Sequence, residues 1–167
     1  MNKDIVAGLG EIGLPILKLI SKKENAIGYD LDKKLMNEKK FKKFENLTTR
    51  FLHIAIPVNK NFNPNVIQLY KKFQPECIVI HSTISPGTTE KLQKKLKIPL
   101  IFSATRGVHK RMIKDLQKYT KFFAISKNAP KKQWAITEYR KTMKKCGIKT
   151  KQMSKPETLE LAKILCD

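Results

Sequence analysis

Short apolar runs alternate with amphipathic segments along this chain. Ile5-Val6-Ala7, Phe51 to Pro57 and Cys77 to His81 are the clearest runs, continuous enough to be strands of a parallel sheet buried on both faces. Shorter runs that end at Tyr29-Asp30, or span 99–103, 122–125 and 148–153, read as further strands. Between them the apolar spacing turns helical: after Gly13, over the lysine-rich 31–44, and over 66–73, where Val66, Leu69, Tyr70 and Phe73 recur every three or four residues. A polar turn from Ser82 to Thr89 leads into a helix over 89–96, with Ser85 as its N-cap and Pro86 at its first position. Helices over 110–117 and 130–145, the latter stopped by Gly147, and a last helix opened by Lys155-Pro156-Glu157 complete the series. Strands and helices that alternate this regularly predict an α/β fold, a doubly wound, mostly parallel sheet in a three-layer α/β/α arrangement.

The first strand runs into Gly8-Leu9-Gly10-Glu11-Ile12-Gly13, and Asp30 ends the second strand 17 residues beyond Gly13. Strand, glycine turn, helix, strand and acid, in that order, form a Rossmann-like dinucleotide fingerprint. Gly8 permits the tight turn, Gly10 lets the backbone approach a pyrophosphate, and Gly13 lets helix and strand pack closely. The helix aims its free N–H groups and positive dipole end at the phosphates, and an acid at about this offset meets the adenosine ribose. Pro15 is tolerated within the first helical turn, where a missing N–H costs no helical bond. The glycine turn, the exit at Ile56-Pro57-Val58 and Ser82-Thr83 all fall at the carboxyl edge of the sheet, where such folds bind ligands.

Composition changes this picture little. The formal charge is +21, from 35 basic and 14 acidic residues, which by itself suggests a polyanion. Only four of the basic residues are arginine, and the lysines are spread in pairs from Lys22-Lys23 to Lys144-Lys145, the pattern of solvated helix faces rather than of one nucleic-acid-reading surface. Such a field attracts anionic substrates. No specific nucleic-acid partner is expected. No run approaches a membrane span and no secretory signal opens the chain, so a cytoplasmic protein is expected, with no membrane partner. Cys77, Cys146 and Cys166 are odd in number and widely spaced, which argues against a disulfide framework and a zinc site. His53 and His81 lie on strands and read as core or edge residues, so no metal is expected.

Three segments bring a family into view. Gly8-Leu9-Gly10-Glu11-Ile12-Gly13-Leu14-Pro15 resembles the GLGxxGLP opening of the UDP-glucose/GDP-mannose dehydrogenase family, and Ser82-Thr83-Ile84-Ser85-Pro86-Gly87-Thr88-Thr89 resembles its STxxPGTT segment. Ile54-Ala55-Ile56-Pro57 is similar to the strand that ends beside the adenine half of that family's cofactor. The resemblance spans roughly the first 100 residues and implies NAD as cofactor. It implies that Gly8, Gly10, Glu11, Ile12 and Gly13 hold the pyrophosphate and Asp30 the ribose, with Pro57 bordering the cofactor and Ser82 and Thr83 at the nicotinamide end. The family oxidises the primary alcohol of a nucleotide sugar to a carboxylate, using two NAD, through an aldehyde and a cysteine thioester. Thr83 would there help to place the catalytic water, and Lys163, in the last helix, falls at the position of the family's catalytic lysine.

The chain also departs from that pattern. Ser103 to His109 lacks the family's glutamate and offers Arg106 and His109 instead, as contacts to a substrate phosphate or carboxylate or as plain loop residues. Asp167 stands where the family has asparagine, and none of the three cysteines matches the nucleophile, which belongs to a second domain. Residues 1–167 are therefore expected to form one NAD-binding domain, with 156–167 starting a helix toward a second domain, and to be incomplete for catalysis alone. Ser82 and Thr83 have a plainer role open to them, ending a strand by bonding their own backbone. A non-catalytic nucleotide-binding module and a relative of the 6-phosphogluconate and 3-hydroxyacid dehydrogenases are the alternatives, and a homodimer fits either reading.

Overall fold

The computed structural model describes residues 1–166. Seven strands form one sheet: β1 (Asn2–Ala7), β2 (Ala26–Tyr29), β3 (Thr48–Ile54), β4 (Cys77–Ile80), β5 (Leu100–Phe102), β6 (Lys121–Ile125) and β7 (Thr150–Gln152). Their order is β2-β1-β3-β4-β5-β6-β7, parallel throughout except between β5 and β6. The helices are α1 (Gly13–Ser21), α2 (Glu38–Phe44), α3 (Phe62–Phe73), α4 (Thr88–Gln93), α5 (Met112–Lys118), α6 (Lys132–Lys145) and α7 (Pro156–Cys166). This is the doubly wound α/β/α fold that the alternation predicts. The chain leaves β1 toward β2 on one side and returns to β3 on the other, so the order reverses between β1 and β3, which places a crevice at their carboxyl ends.

Strand alternation divides the core into two layers. Val6, Phe51, Cys77 and Val79 face α1, α5 and α6, where they meet Leu19, Leu116 and Tyr139. Ile5, Ala7, Leu52, Ile54, Ile78 and Ile80 face the other layer, with Phe62 and Val66 of α3, Leu92 of α4 and Leu159 of α7. Residues on both faces of β3 and β4 are fully buried, as continuous apolar runs require. Cys77 and Cys146 are buried and Cys166 is exposed, all as free thiols. His53 and His81 prove to be core residues.

Several local expectations need correction. Helix α4 begins at Thr88 rather than at Pro86, and Ser85 does not cap it. Its cap is Gly87, in the left-handed region at φ +88°, while Ser85 only accepts the Thr88 amide and hydroxyl through its carbonyl. Strand β1 starts at Asn2, so it carries Lys3 and Asp4 into the interior. Lys3 and Lys121 are each 5% exposed, exceptions to the reading of the lysines as solvated faces. Among the described residues no helix is long and apolar enough to cross a membrane, and no group of three or more His, Cys, Asp or Glu side chains is placed to hold a metal.

Candidate functional site: a crevice at the chain reversal

The reversal between β1 and β3 opens a crevice of about 1010 Å³. Gly8, Leu9, Gly10, Glu11 and Ile12 form one wall, Asp30 lies at the β2 end, Pro57 and Val58 follow β3, and Ser82 and Thr83 follow β4. Along the sheet, β2 and β4 are three strand spacings apart, about 14 Å. The crevice therefore crosses the carboxyl edge from an acid at one end to two hydroxyls at the other.

Each glycine of the turn has a distinct steric reason to be there. Gly8 has φ +91°, and a Cβ on it would stand 2.5 Å from the Ala55 carbonyl oxygen. Gly13 lies behind the wall, and a Cβ there would fall 1.6 Å from the Gly8 carbonyl oxygen, so only glycine allows α1 to sit this close to the turn. Gly10 differs from both. A Cβ on it would meet nothing within 4 Å, because it faces the crevice. Gly8 and Gly13 thus make the turn possible, while Gly10 leaves its outer surface bare.

Asp30 ties the acid end to this turn. One carboxylate oxygen accepts the Leu9 amide at 2.8 Å, and the other accepts the Asp32 amide at 2.9 Å. Each oxygen retains acceptor capacity, so the carboxylate can still receive a diol from the crevice. Beyond it, Leu31 and Leu35, 90% and 49% exposed, line the same space and offer apolar surface to a flat ring. Asn65, Gln68, Leu69 and Lys72 of α3 complete that side. Sequence reading missed these four. Asn65, Gln68 and Lys72, spaced by three and four along α3, mark a polar stripe beside the apolar one that holds Leu69, a signal that was available.

At the other end Ser82 is buried, and its hydroxyl donates to the Ile56 carbonyl at 2.7 Å, stitching the exits of β3 and β4 together. Thr83 lines the crevice beside it. The loop that carries both is held from afar by Glu160 of α7. Its carboxylate, fully buried, accepts the Gly87 amide at 2.6 Å and the Thr89 amide at 2.9 Å, capping α4. No local pattern announces this cap, since 71 residues separate Glu160 from Thr89.

Of the remaining candidates, two lie elsewhere. Lys163 lines a smaller cavity formed with α5 and β6, and Arg106 lines that same cavity with its guanidinium 5.6 Å above the Tyr119 ring. His109 turns instead toward Glu11, at 3.5 Å, both side chains being largely exposed. The structure therefore separates Arg106 from His109. Asp167 lies outside the described residues.

Two buried polar features near the sheet centre were also missed. Arg50 grips Asp4 through Nε at 3.0 Å and Nη2 at 2.7 Å, a fork in the core that reading β1 from Ile5 onward could not show. His53 Nδ1 lies 2.9 Å from His81 Nε2, with the rings 5.1 Å apart. Burial, with the charges of Arg50 and Lys121, pushes the His53 pKa down to about 3, and burial first, then Lys121 and His53, lowers His81.

A dinucleotide fits what is present. The turn offers a bare backbone at Gly10, α1 opens directly from it with the Leu14 and Ile16 amides donating back to the Gly10 and Ile12 carbonyls, and an acid stands ready at one end. No family model matches the chain, and no curated protein matches its sequence. Solved structures do match in fold. The UDP-D-ManNAc dehydrogenase of Pyrococcus horikoshii superposes with a TM-score of 0.74 over 98% of this chain and 49% of its own, at 18% identity. The UDP-N-acetyl-mannosamine dehydrogenase of Staphylococcus aureus gives 0.71 over 98% and 49%, at 16% identity. An imine reductase of Aspergillus terreus, solved in complex with NADPH4, gives 0.70 over 99% and 60%, at 8% identity. This chain thus shares the Rossmann fold of these oxidoreductases and spans about half the length of the two UDP-sugar dehydrogenases.

Proposed function

We propose that this chain is the NAD-binding domain of an oxidoreductase of the UDP-glucose/GDP-mannose dehydrogenase kind, acting on a nucleotide sugar or a similar anionic alcohol. The observation that carries the reading is the crevice itself: a glycine turn bare at Gly10, linked through Leu9 to Asp30 and reaching Thr83 along one sheet edge. In this reading the backbone of Gly8 to Ile12 holds the pyrophosphate, Asp30 receives the ribose hydroxyls, and Pro57 and Ser82 shape the opposite wall. A nicotinamide held there would supply the hydride acceptor for oxidation of the substrate carbon. Thr83 orients the reacting groups at that end, while Lys163, the counterpart of the family's catalytic lysine, lines the smaller cavity on α7 and takes no part in this step. Asp30 disfavours a 2′-phosphate by charge repulsion, which selects NAD over NADP.

A crevice open on one side neither excludes water nor encloses a sugar, so catalysis calls for a second wall. The neighbours in fold, about twice as long as this chain, support that view. The chain is incubated with NAD and either UDP-glucose or UDP-N-acetyl-mannosamine, and the absorbance of the reduced nicotinamide is followed. Binding of NAD with slow or no reduction agrees with a cofactor domain awaiting its partner domain, and rapid reduction makes it an enzyme by itself. Failure to bind NAD or NADP refutes the proposal.

A further inference from the structure

A second cavity, of about 260 Å³, lies between the loop after β5, helix α5, strand β6 and helix α7. It shares no lining residue with the crevice described above. Lys121 lines it from β6 and is almost wholly buried. Its ammonium donates to the Ser103 carbonyl at 2.6 Å and the Thr105 hydroxyl at 3.0 Å, both neutral oxygens. A buried cation held only by neutral acceptors is costly, and a negative group within reach would relieve that cost. The carboxylate among the lining residues does not serve. Asp115 accepts the Val108 amide at 2.8 Å and faces Arg111 at 3.8 Å. Burial, and then the charge of Lys163 on the facing helix, brings the Lys121 pKa down to about 7.

The rest of the lining specifies the ligand. Lys163 lines the cavity from α7 and Arg106, exposed, stands over Tyr119, so two further cations flank Lys121. Leu116, Phe122, Met153 and Leu159 supply apolar walls. A bare inorganic anion would leave those walls uncovered, and a neutral hydrocarbon would leave the ammonium without a counter-charge. We propose that this cavity binds a small organic carboxylate, its anionic end on Lys121 and its hydrocarbon body against Leu116, Phe122, Met153 and Leu159. Arg106 draws the anion in. The proposal does not depend on the dinucleotide reading.

Sodium benzoate is a suitable probe, with benzyl alcohol as its neutral counterpart. Calorimetric titration at pH 8, in two buffers of different ionisation enthalpy, gives both affinity and proton uptake. Burial disfavours the charged form of Lys121 and a bound carboxylate favours it, so benzoate binding takes up protons. Benzyl alcohol binds at least about tenfold more weakly, and Lys121→Met loses both the benzoate affinity and the proton uptake. Arg106→Gln, at an exposed position, keeps its melting temperature and weakens benzoate several-fold. The proposal is overturned if benzoate gives no heat up to about 10 mM, if benzyl alcohol binds as well, or if binding takes up no proton. Unchanged affinity in Lys121→Met also overturns it. Should that variant not fold, the proton uptake of the parent chain and the affinity of Arg106→Gln decide the matter.

Discussion

Gly10 and Gly13 belong to one turn, yet the structure predicts opposite consequences for adding a side chain to each. At Gly10 a Cβ meets no atom within 4 Å, and the residue is not in the left-handed region, so Gly10→Val leaves the fold nearly intact, within about 0.5 kcal/mol. The branched side chain instead projects into the crevice, where the pyrophosphate would approach the backbone. Displacing it breaks at least one charge-assisted bond from a main-chain N–H, worth about 1.5 to 3 kcal/mol, which is roughly a 10- to 150-fold loss of affinity. Gly13→Ala does the reverse. Its Cβ would stand 1.6 Å from the Gly8 carbonyl oxygen, and main chain cannot yield that far without shifting α1, a cost of at least about 3 kcal/mol. Thermal melting and NAD calorimetry on both variants separate the two effects. If Gly10→Val binds NAD within about twofold of the parent, the pyrophosphate does not lie on Gly10 and the placement is wrong.

Three further outcomes follow from other parts of the molecule. His53 is neutral when folded because its pKa is held near 3, whereas unfolded it binds a proton near 6.5; stability is therefore full above about pH 6.5 and falls as the pH drops toward 3. The loss attributable to His53 is about 2 kcal/mol at pH 5, readable as a falling urea midpoint, and a His53→Leu/His81→Leu variant should flatten that slope; an unchanged slope contradicts the assignment. Arg50→Met leaves Asp4 buried without its partner and should cost about 3 to 5 kcal/mol by denaturant unfolding, much of it recovered in Asp4→Leu/Arg50→Met, and a single variant as stable as the parent refutes the role of the pair. Asp30→Asn keeps an acceptor for only one of the Leu9 and Asp32 amides and removes the charge that repels a 2′-phosphate; NAD affinity falls about tenfold while NADP affinity holds or rises, and an unaltered NAD to NADP ratio argues against Asp30 as the ribose contact.

What could be read from the sequence was what local pattern encodes. Residues 51–54 and 77–80 are apolar except at His53 because both faces of β3 and β4 are covered, and the glycine turn is legible because Gly8 and Gly13 admit nothing else. What could not be read was set by partners distant in the chain. Ser85 and Pro86 have the appearance of a helix start, but α4 takes its capping acceptor from Glu160, so its first turn begins two residues later at a left-handed Gly87. Asp4 and Arg50 each break an apolar pattern when considered singly and make sense only as a pair across β1 and β3. Lys121 resembles the many solvated lysines, and only the fold around it, with Ser103 and Thr105 as its acceptors, shows it to be buried. Nor does the period of a strand reveal its direction, so the antiparallel pairing of β5 with β6 was invisible beforehand.

Dinucleotide binding in the crevice between β1 and β3 is the central property proposed for this chain. Calorimetric titration of NAD into the chain, repeated with adenosine in place of NAD, tests this most directly. The prediction is one NAD per chain, bound far more tightly than adenosine because the turn at Gly10 and the start of α1 hold the pyrophosphate. No heat with NAD or NADP at about 1 mM, or equal affinity for adenosine and NAD, would contradict it.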